Sequence, residues 1–267
     1  MVNLTTNKLP AWKSLLIQCK SRNRVLYSAG LLSLLGAFVC GLLVVFSNLQ
    51  VLGVNAFVKP FKFFGSISTV CFTMAWILVY LNNQKTVKIY SWVLVFAMVI
   101  ELVIITGQAA LGKTSHFNTA TLLDGILFQL MGIAIVVFTL WTGWICYCFF
   151  RQKEWPIWMS PGYLWGMRLG LLFFVIFAFE GMHMVYLNQH TIGAPDGSAG
   201  LPLTNWSREF GDLRVPHFFG LHTLQLLPLA GYYLFPKKTT MVIMAITWLA
   251  FIALLYWQAL QGFPIIP

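Results

Sequence analysis

Residues 179–225 read FEGMHMVYLNQHTIGAPDGSAGLPLTNWSREFGDLRVPHFFGLHTLQ, the end of one apolar run, a polar connection and the start of another. The upstream run, 162–186, and the downstream run, 216–235, each have about the 20 residues that a helix needs to cross hydrocarbon. The connection between them, 187–215, exceeds the roughly 12 to 15 residues beyond which an unstructured loop usually has a task of its own. Two spans joined in this way predict a polytopic membrane protein. They also predict that the loop covers whatever lies between the two spans.

On either side of this stretch, comparable runs occur at 25–46, 63–82, 89–111, 122–149 and 240–260. The run 25–46 is too long for a signal-peptide core and has no small-residue cleavage pattern, so it reads as an uncleaved first span. The expected fold class is therefore all-α: a polytopic membrane helix bundle with seven transmembrane helices. Composition agrees. The 267 residues are 59% hydrophobic and 9% charged, against about 25% charged in an average soluble domain. With no soluble-looking block, the chain divides into a basic N-terminal segment, 1–24, and one transmembrane domain, 25–267, carrying the loop 187–215.

Charge placement gives the expected orientation. With the N-terminus inside, Lys8, Lys13, Lys20, Arg22, Arg24, Lys85, Lys88, Arg151, Lys153, Lys237 and Lys238 are cytoplasmic, while Lys59, Lys62, Lys113, Arg208 and Arg214 face outward. Eleven against five follows the positive-inside rule and predicts an inner (cell) membrane protein with its C-terminus outside. The net charge of +10 is thus explained by topology. It is not gathered into an aromatic-lined stripe, so nucleic acid is excluded as a partner and the lipid bilayer takes its place. Cysteines 19, 40, 71, 146 and 148 form neither a disulfide framework nor a zinc-type CxxC.

Two spans carry rows of small residues, Ser33, Ala37 and Gly41 on the first and Gly162, Gly166 and Gly170 on the fifth. Such rows let helices approach closely in lipid, and contacts within the monomer are the expected use. The oligomeric state is left open.

Ionisable residues inside spans are expensive and mark function by default. Glu180 and His183 share a face of the fifth span, as do Glu101 and Gln108 on the third and His222 and Gln225 on the sixth. Turned inward, these stripes would line one outward-facing cavity. Glu180, Glu101 and Asp124 are the candidate catalytic carboxylates. His183, His222, Glu180, His116 and His217 are the candidate metal ligands, for zinc or iron, with haem ranked lower. Lys59, Lys62, Gln108 and Arg214 are candidates for ligand binding. Three bland readings stand beside these: Asp124 follows Thr121 at capping-box spacing, Lys59 and Lys62 could snorkel, and the pairs could be a buried hydrogen-bond network. His217 and His222 lie five apart, about 140° around a helix, so an undistorted helix cannot aim both at one point.

Three stretches, KPFKF (59–63), GQAALGKTSHFNTAT (107–121) and GDLRVPHFFGLH (211–222), resemble a family of bacterial multi-pass integral membrane proteins. That resemblance implies a membrane location. A weaker likeness to seven-helix zinc hydrolases of the alkaline ceramidase and progestin-receptor type rests on Ser115, His116, Asp124 and the late histidine pair. The chain departs from that pattern: Ser115 adjoins His116, the late pair is His-x-x-x-x-His, and the last span has no histidine.

The leading expectation is a metal-dependent enzyme acting on a lipid or other membrane-soluble substrate at an outward His/carboxylate site. The alternative is a non-enzymatic binding, sensing or proton-coupled transport protein, with Lys59 and Lys62 meeting an anionic small molecule. A haem-binding redox protein is the second alternative.

Overall fold

In a computed structural model, described for residues 11–197 and 200–266, the chain is a helix bundle. Six helices are long and apolar enough to cross a membrane: α2 (Arg24–Phe46), α3 (Val58–Ile77, continued by a 3-10 turn to Tyr80), α4 (Gln84–Ala110), α5 (Leu122–Arg151), α6 (Pro161–Leu187) and α9 (Lys238–Leu260). A short helix α1 (Ala11–Arg22) forms within the basic N-terminal segment, where the sequence reading placed none. Helices α7 (Arg214–Leu221) and α8 (Thr223–Tyr233) occupy the expected sixth span, which is two pieces and not one.

The interruption falls at His222 and has local causes. Thr223 Oγ donates to the Gly220 carbonyl at 2.6 Å, diverting an acceptor of the helix ladder. Pro228, six residues on, has no N–H to give the Leu224 carbonyl. Elsewhere the chain is punctuated as the residue types require. Asn23, Asn83, Thr121 and Ser160 accept N–H bonds at the starts of α2, α4, α5 and α6, and Pro161 opens α6. Asn188, at φ 54°, ends α6 in the left-handed conformation. Helix α3 starts earlier than expected, at Val58, because Pro60 is tolerated in a first turn. Lys59 and Lys62 consequently lie on a helix and not in the connection before it.

Successive spans run antiparallel, so the connections gather at two ends. One, here the loop end, holds a small hairpin of β1 (Gln50–Val51) and β2 (Val54–Asn55), the 111–121 loop, and the long connection from Asn188 to Leu213. That long connection is closed by β3 (Thr191–Ile192) pairing antiparallel with β4 (Gly211–Asp212). The other, basic end is tied by Arg22, which donates to the Trp76 carbonyl and the Tyr80 hydroxyl and stacks 3.8 Å over the Trp76 ring. Leucines, valines and isoleucines such as Leu34, Val103, Ile133 and Leu254 are exposed on the flanks, the surface that hydrocarbon covers.

The small-residue rows act within the monomer. Serine 33 and Ala37 are buried, and Ser68 Oγ donates 2.9 Å to the Gly30 carbonyl where α2 meets α3. On α6 the fit is tighter. A Cβ at Gly166 would lie 2.4 Å from the Leu227 carbonyl oxygen, and one at Gly170 would lie 2.9 Å from that of Thr223. From α8, Gly231 meets the Gly162 carbonyl in the same way, at 2.4 Å. These neighbours are backbone, which cannot rotate aside.

Gly166→Ala should therefore destabilise the bundle by about 1–3 kcal/mol, the usual cost of overpacking. Gly143→Ala, whose nearest neighbour would be a Val175 methyl at 3.9 Å, should be neutral or slightly stabilising. Denaturation of the two variants in the same micelles checks the difference. Equal stabilities would show that the α6–α8 contact is looser than described.

Candidate functional site

All five histidines and six of the seven acidic residues belong to the loop-end half of the molecule, Glu154 being the exception. The structure sorts them into three groups.

The first joins α6 to α7 and α9. Glu180 Oε2 accepts from His217 Nδ1 at 3.0 Å, and His183 Nδ1 meets the Tyr256 hydroxyl at 2.7 Å. Glu180 and His183 share a helix face but serve different neighbours. His222 turns elsewhere: its Nδ1 lies 3.1 Å from Gln225 Oε1, and Gln225 Nε2 donates to Thr73 Oγ on α3 at 3.2 Å. Among the described residues no group of three or more His, Cys, Asp or Glu side chains could hold a metal ion. The donor set expected for zinc or iron, Glu180, His183 and His222 with His116 and His217, is thus divided among separate partners. It does not fit a shared ion. Tyr256 and Thr73 were not singled out from sequence, since a lone hydroxyl in an apolar span gives no periodic signal.

The second group caps α5. Asp124 accepts from Gln108 Nε2 at 2.8 Å, from Thr121 Oγ at 2.7 Å and from Lys113 Nζ at 3.2 Å, and it is 2% exposed. Its backbone N–H donates to Thr121 Oγ. Candidate catalytic Asp124 and candidate ligand-binding Gln108 are thereby mutually satisfied, as the capping reading requires.

The third group lies under the long connection. Lys62 Nζ donates to the Thr204 carbonyl at 2.8 Å. Arg214 is clamped to Asp212 through Nε at 2.9 Å and Nη2 at 2.6 Å and also donates to the Asn205 carbonyl. Asp212 in turn accepts the Ser207 N–H, and Asp196 accepts the N–H groups of His190 and Thr191. Among the described residues, Lys62 and Arg214 thus tie the long connection to α3 and α7, and the Asp196 and Asp212 bonds fold it on itself. Lys59 has electrostatic neighbours, Glu101, Lys62, Arg214 and Asp196, but no hydrogen bond or ion pair among the described residues. Its ammonium stands 6.0 Å over the Phe63 ring, and His116 packs against the same ring at 5.9 Å. Glu101 is 2% exposed, and its Oε1 has no partner among the described residues. The Thr204 hydroxyl has none either.

The field of this group sets its protonation. Burial, then Lys59 and His190, hold His116 well below the ordinary imidazole value. Burial and Arg214 bring His190 down to about 4 in spite of Asp196. Both rings are neutral at pH 7, and His190 Nδ1, 3.1 Å from Asp196, carries the proton of that bond. Asp212 is pushed up by burial but held lower overall by Arg214 and the Ser207 N–H, so it stays charged.

No family model, curated protein or solved structure matches the chain.

Because the unfolded chain takes up a proton at His190 near 6.5 and the folded chain only near 4, stability should fall as pH is lowered across that window. His116 adds a loss of the same sign. His190→Gln should flatten the dependence between pH 6.5 and 4. Melting curves at several pH values test this, and an unchanged slope would place a charged imidazole in the folded state.

Proposed function

We propose that this is a non-enzymatic binding protein of the cell (inner) membrane, whose outward loop end is a covered chamber for a small ligand. The observation that carries the reading is that Lys59 and Glu101, an ammonium and a buried carboxyl oxygen that are electrostatic neighbours, have no bonded partners among the described residues, beside a connection tied down through Lys62 and Arg214. Charged groups inside a bundle are normally paired or hydrogen-bonded, because desolvation otherwise costs several kcal/mol. Two left without bonds at one place are groups held ready for something else. The separate partners of Glu180, His183 and His222 remove the support for a shared catalytic ion and favour binding over hydrolysis.

In this proposal α7 and α8 together make the sixth of seven crossings. Arg214 to Tyr233 is about 30 Å of helix at 1.5 Å per residue, which is enough to span. The eleven-to-five division of Lys and Arg supports a cytoplasmic basic end and an outward loop end. The resemblance to bacterial multi-pass proteins is part of the same proposal. Its three stretches converge on the loop end, where they supply Lys59 and Lys62, His116, and Asp212 and Arg214.

Single cysteines in a cysteine-free background test both halves of the reading. Glu209→Cys should react with an impermeant reagent in intact cells and Lys85→Cys should not; the reverse pattern would invert the orientation. Ser115→Cys, at a 4% exposed position beside His116, should react with a small water-soluble thiol reagent but not with a bulky one. Complete shielding from both would leave no chamber to occupy.

A further inference from the structure

Resting on that chamber, we infer its ligand class: a small oxyanion, carboxylate or phosphate, seated at the N-terminal turn of α3 between Lys59, Lys62 and His116. Helix α3 begins after Phe57, whose N–H is taken by Asn55 Oδ1 at 2.9 Å; Phe57 itself supplies no side-chain cap, and the first turn holds no acidic residue. A helix N-terminus favours negative charge. This one carries two lysines, which raise the local positive potential instead of neutralising it. Neither has a carboxylate within ion-pair distance among the described residues, although Asp212 and Asp196 stand close by. Those two acids are already engaged, Asp212 by Arg214 and Ser207, Asp196 by His190 and Thr191. The fold thus engages Asp196 and Asp212, and among the described residues leaves Lys59 with no bonded acceptor and Lys62 with the Thr204 carbonyl alone.

The donors around Lys59 fit an oxyanion. The lysine offers three N–H bonds. The neutral His116, with Nδ1 3.2 Å from Ser115 Oγ, can accept the serine proton there and offer its Nε2–H. Thr204 supplies a buried hydroxyl with no partner among the described residues, on the residue whose carbonyl receives Lys62. Phe63, against both Lys59 and His116, is an apolar wall on which a carboxylate's hydrocarbon or a lipid's glycerol could lie. Glu101 supplies the counter-charge nearest Lys59 from α4. A neutral or cationic ligand would leave both lysines as they are.

The shared chemistry has two sources, a free anion or an anionic lipid headgroup, and one experiment separates them. The full chain in phosphatidylcholine nanodiscs is titrated calorimetrically with inorganic phosphate and with acetate; a parallel sample is assayed for retention of phosphatidylglycerol from mixed-lipid nanodiscs. Heat with phosphate or acetate identifies a free oxyanion, and selective phosphatidylglycerol retention identifies a headgroup; either supports the inference. Lys59→Gln and Lys62→Gln should each weaken the response roughly tenfold, the loss of a charge-assisted hydrogen bond. Lys113→Gln, at a lysine already paired with Asp124, should not. Melting temperature serves as the second readout: Lys59→Gln removes no bonded contact and should leave it unchanged or raise it. No response to any of the three probes, or unaltered affinity in both lysine variants, overturns the inference. If that happens while Ser115→Cys still reacts with the small reagent, the chamber stands and only its ligand class falls.

Discussion

The contact on which the rest of the molecule depends is backbone against backbone, where Gly166 and Gly170 of α6 meet the carbonyls of α8, Gly162 meets that of Phe235 just past its end, and Gly231 answers from the other side. Lipid tails are as apolar as leucine, so no hydrophobic force presses helices together inside a bilayer. Close packing has to do it. Four glycines allow an approach that any Cβ would block. They also fix the height of α8 against α6, and with it the height of the interruption at His222 and of α7 above it.

Because α7 is set at that height, His217 arrives opposite Gly181 and reaches Glu180, while Gly220 makes room for the Phe177 ring. Helix α9 closes the same corner through Tyr256 and His183, and through Ala259, whose carbonyl abuts Gly211 of β4. The long connection is therefore held at its roots by the same helices that are packed most tightly. At this end the polar groups of α3, α4 and α7 come within electrostatic reach of one another.

Charge is distributed along the bundle in two ways. At the basic end cations stand almost alone, opposed only by Glu154. At the loop end acids, histidines and cations are interleaved, and burial among the cations keeps His116 and His190 neutral. A mixed cluster of this kind can hold two lysines without carboxylate partners while the end as a whole remains balanced. A uniformly basic pocket would repel its own members; a fully paired one would have nothing to offer a ligand.

The membrane class, the approximate position of the long helices, the Thr121–Asp124 cap and the small-residue row of α6 were legible in the chain, because each depends on neighbours within a few residues or on a run of one polarity. Periodicity also placed Glu180 with His183 and Glu101 with Gln108 on common faces. It could not say what each face meets, since the rotation of a helix about its axis and the identity of its neighbour are set by packing between distant segments. So His217, a candidate ligand beside His222, pairs with Glu180, and His183 takes Tyr256 from the last helix. Even the sixth span had the hydropathy of one helix; its division at His222 arises where a threonine hydroxyl and a proline act on the ladder while α6 holds the backbone from outside. The approach of Lys59 to Glu101, across 42 residues of chain, is of the same kind: two helices must first be packed before an ammonium and a carboxyl can be neighbours.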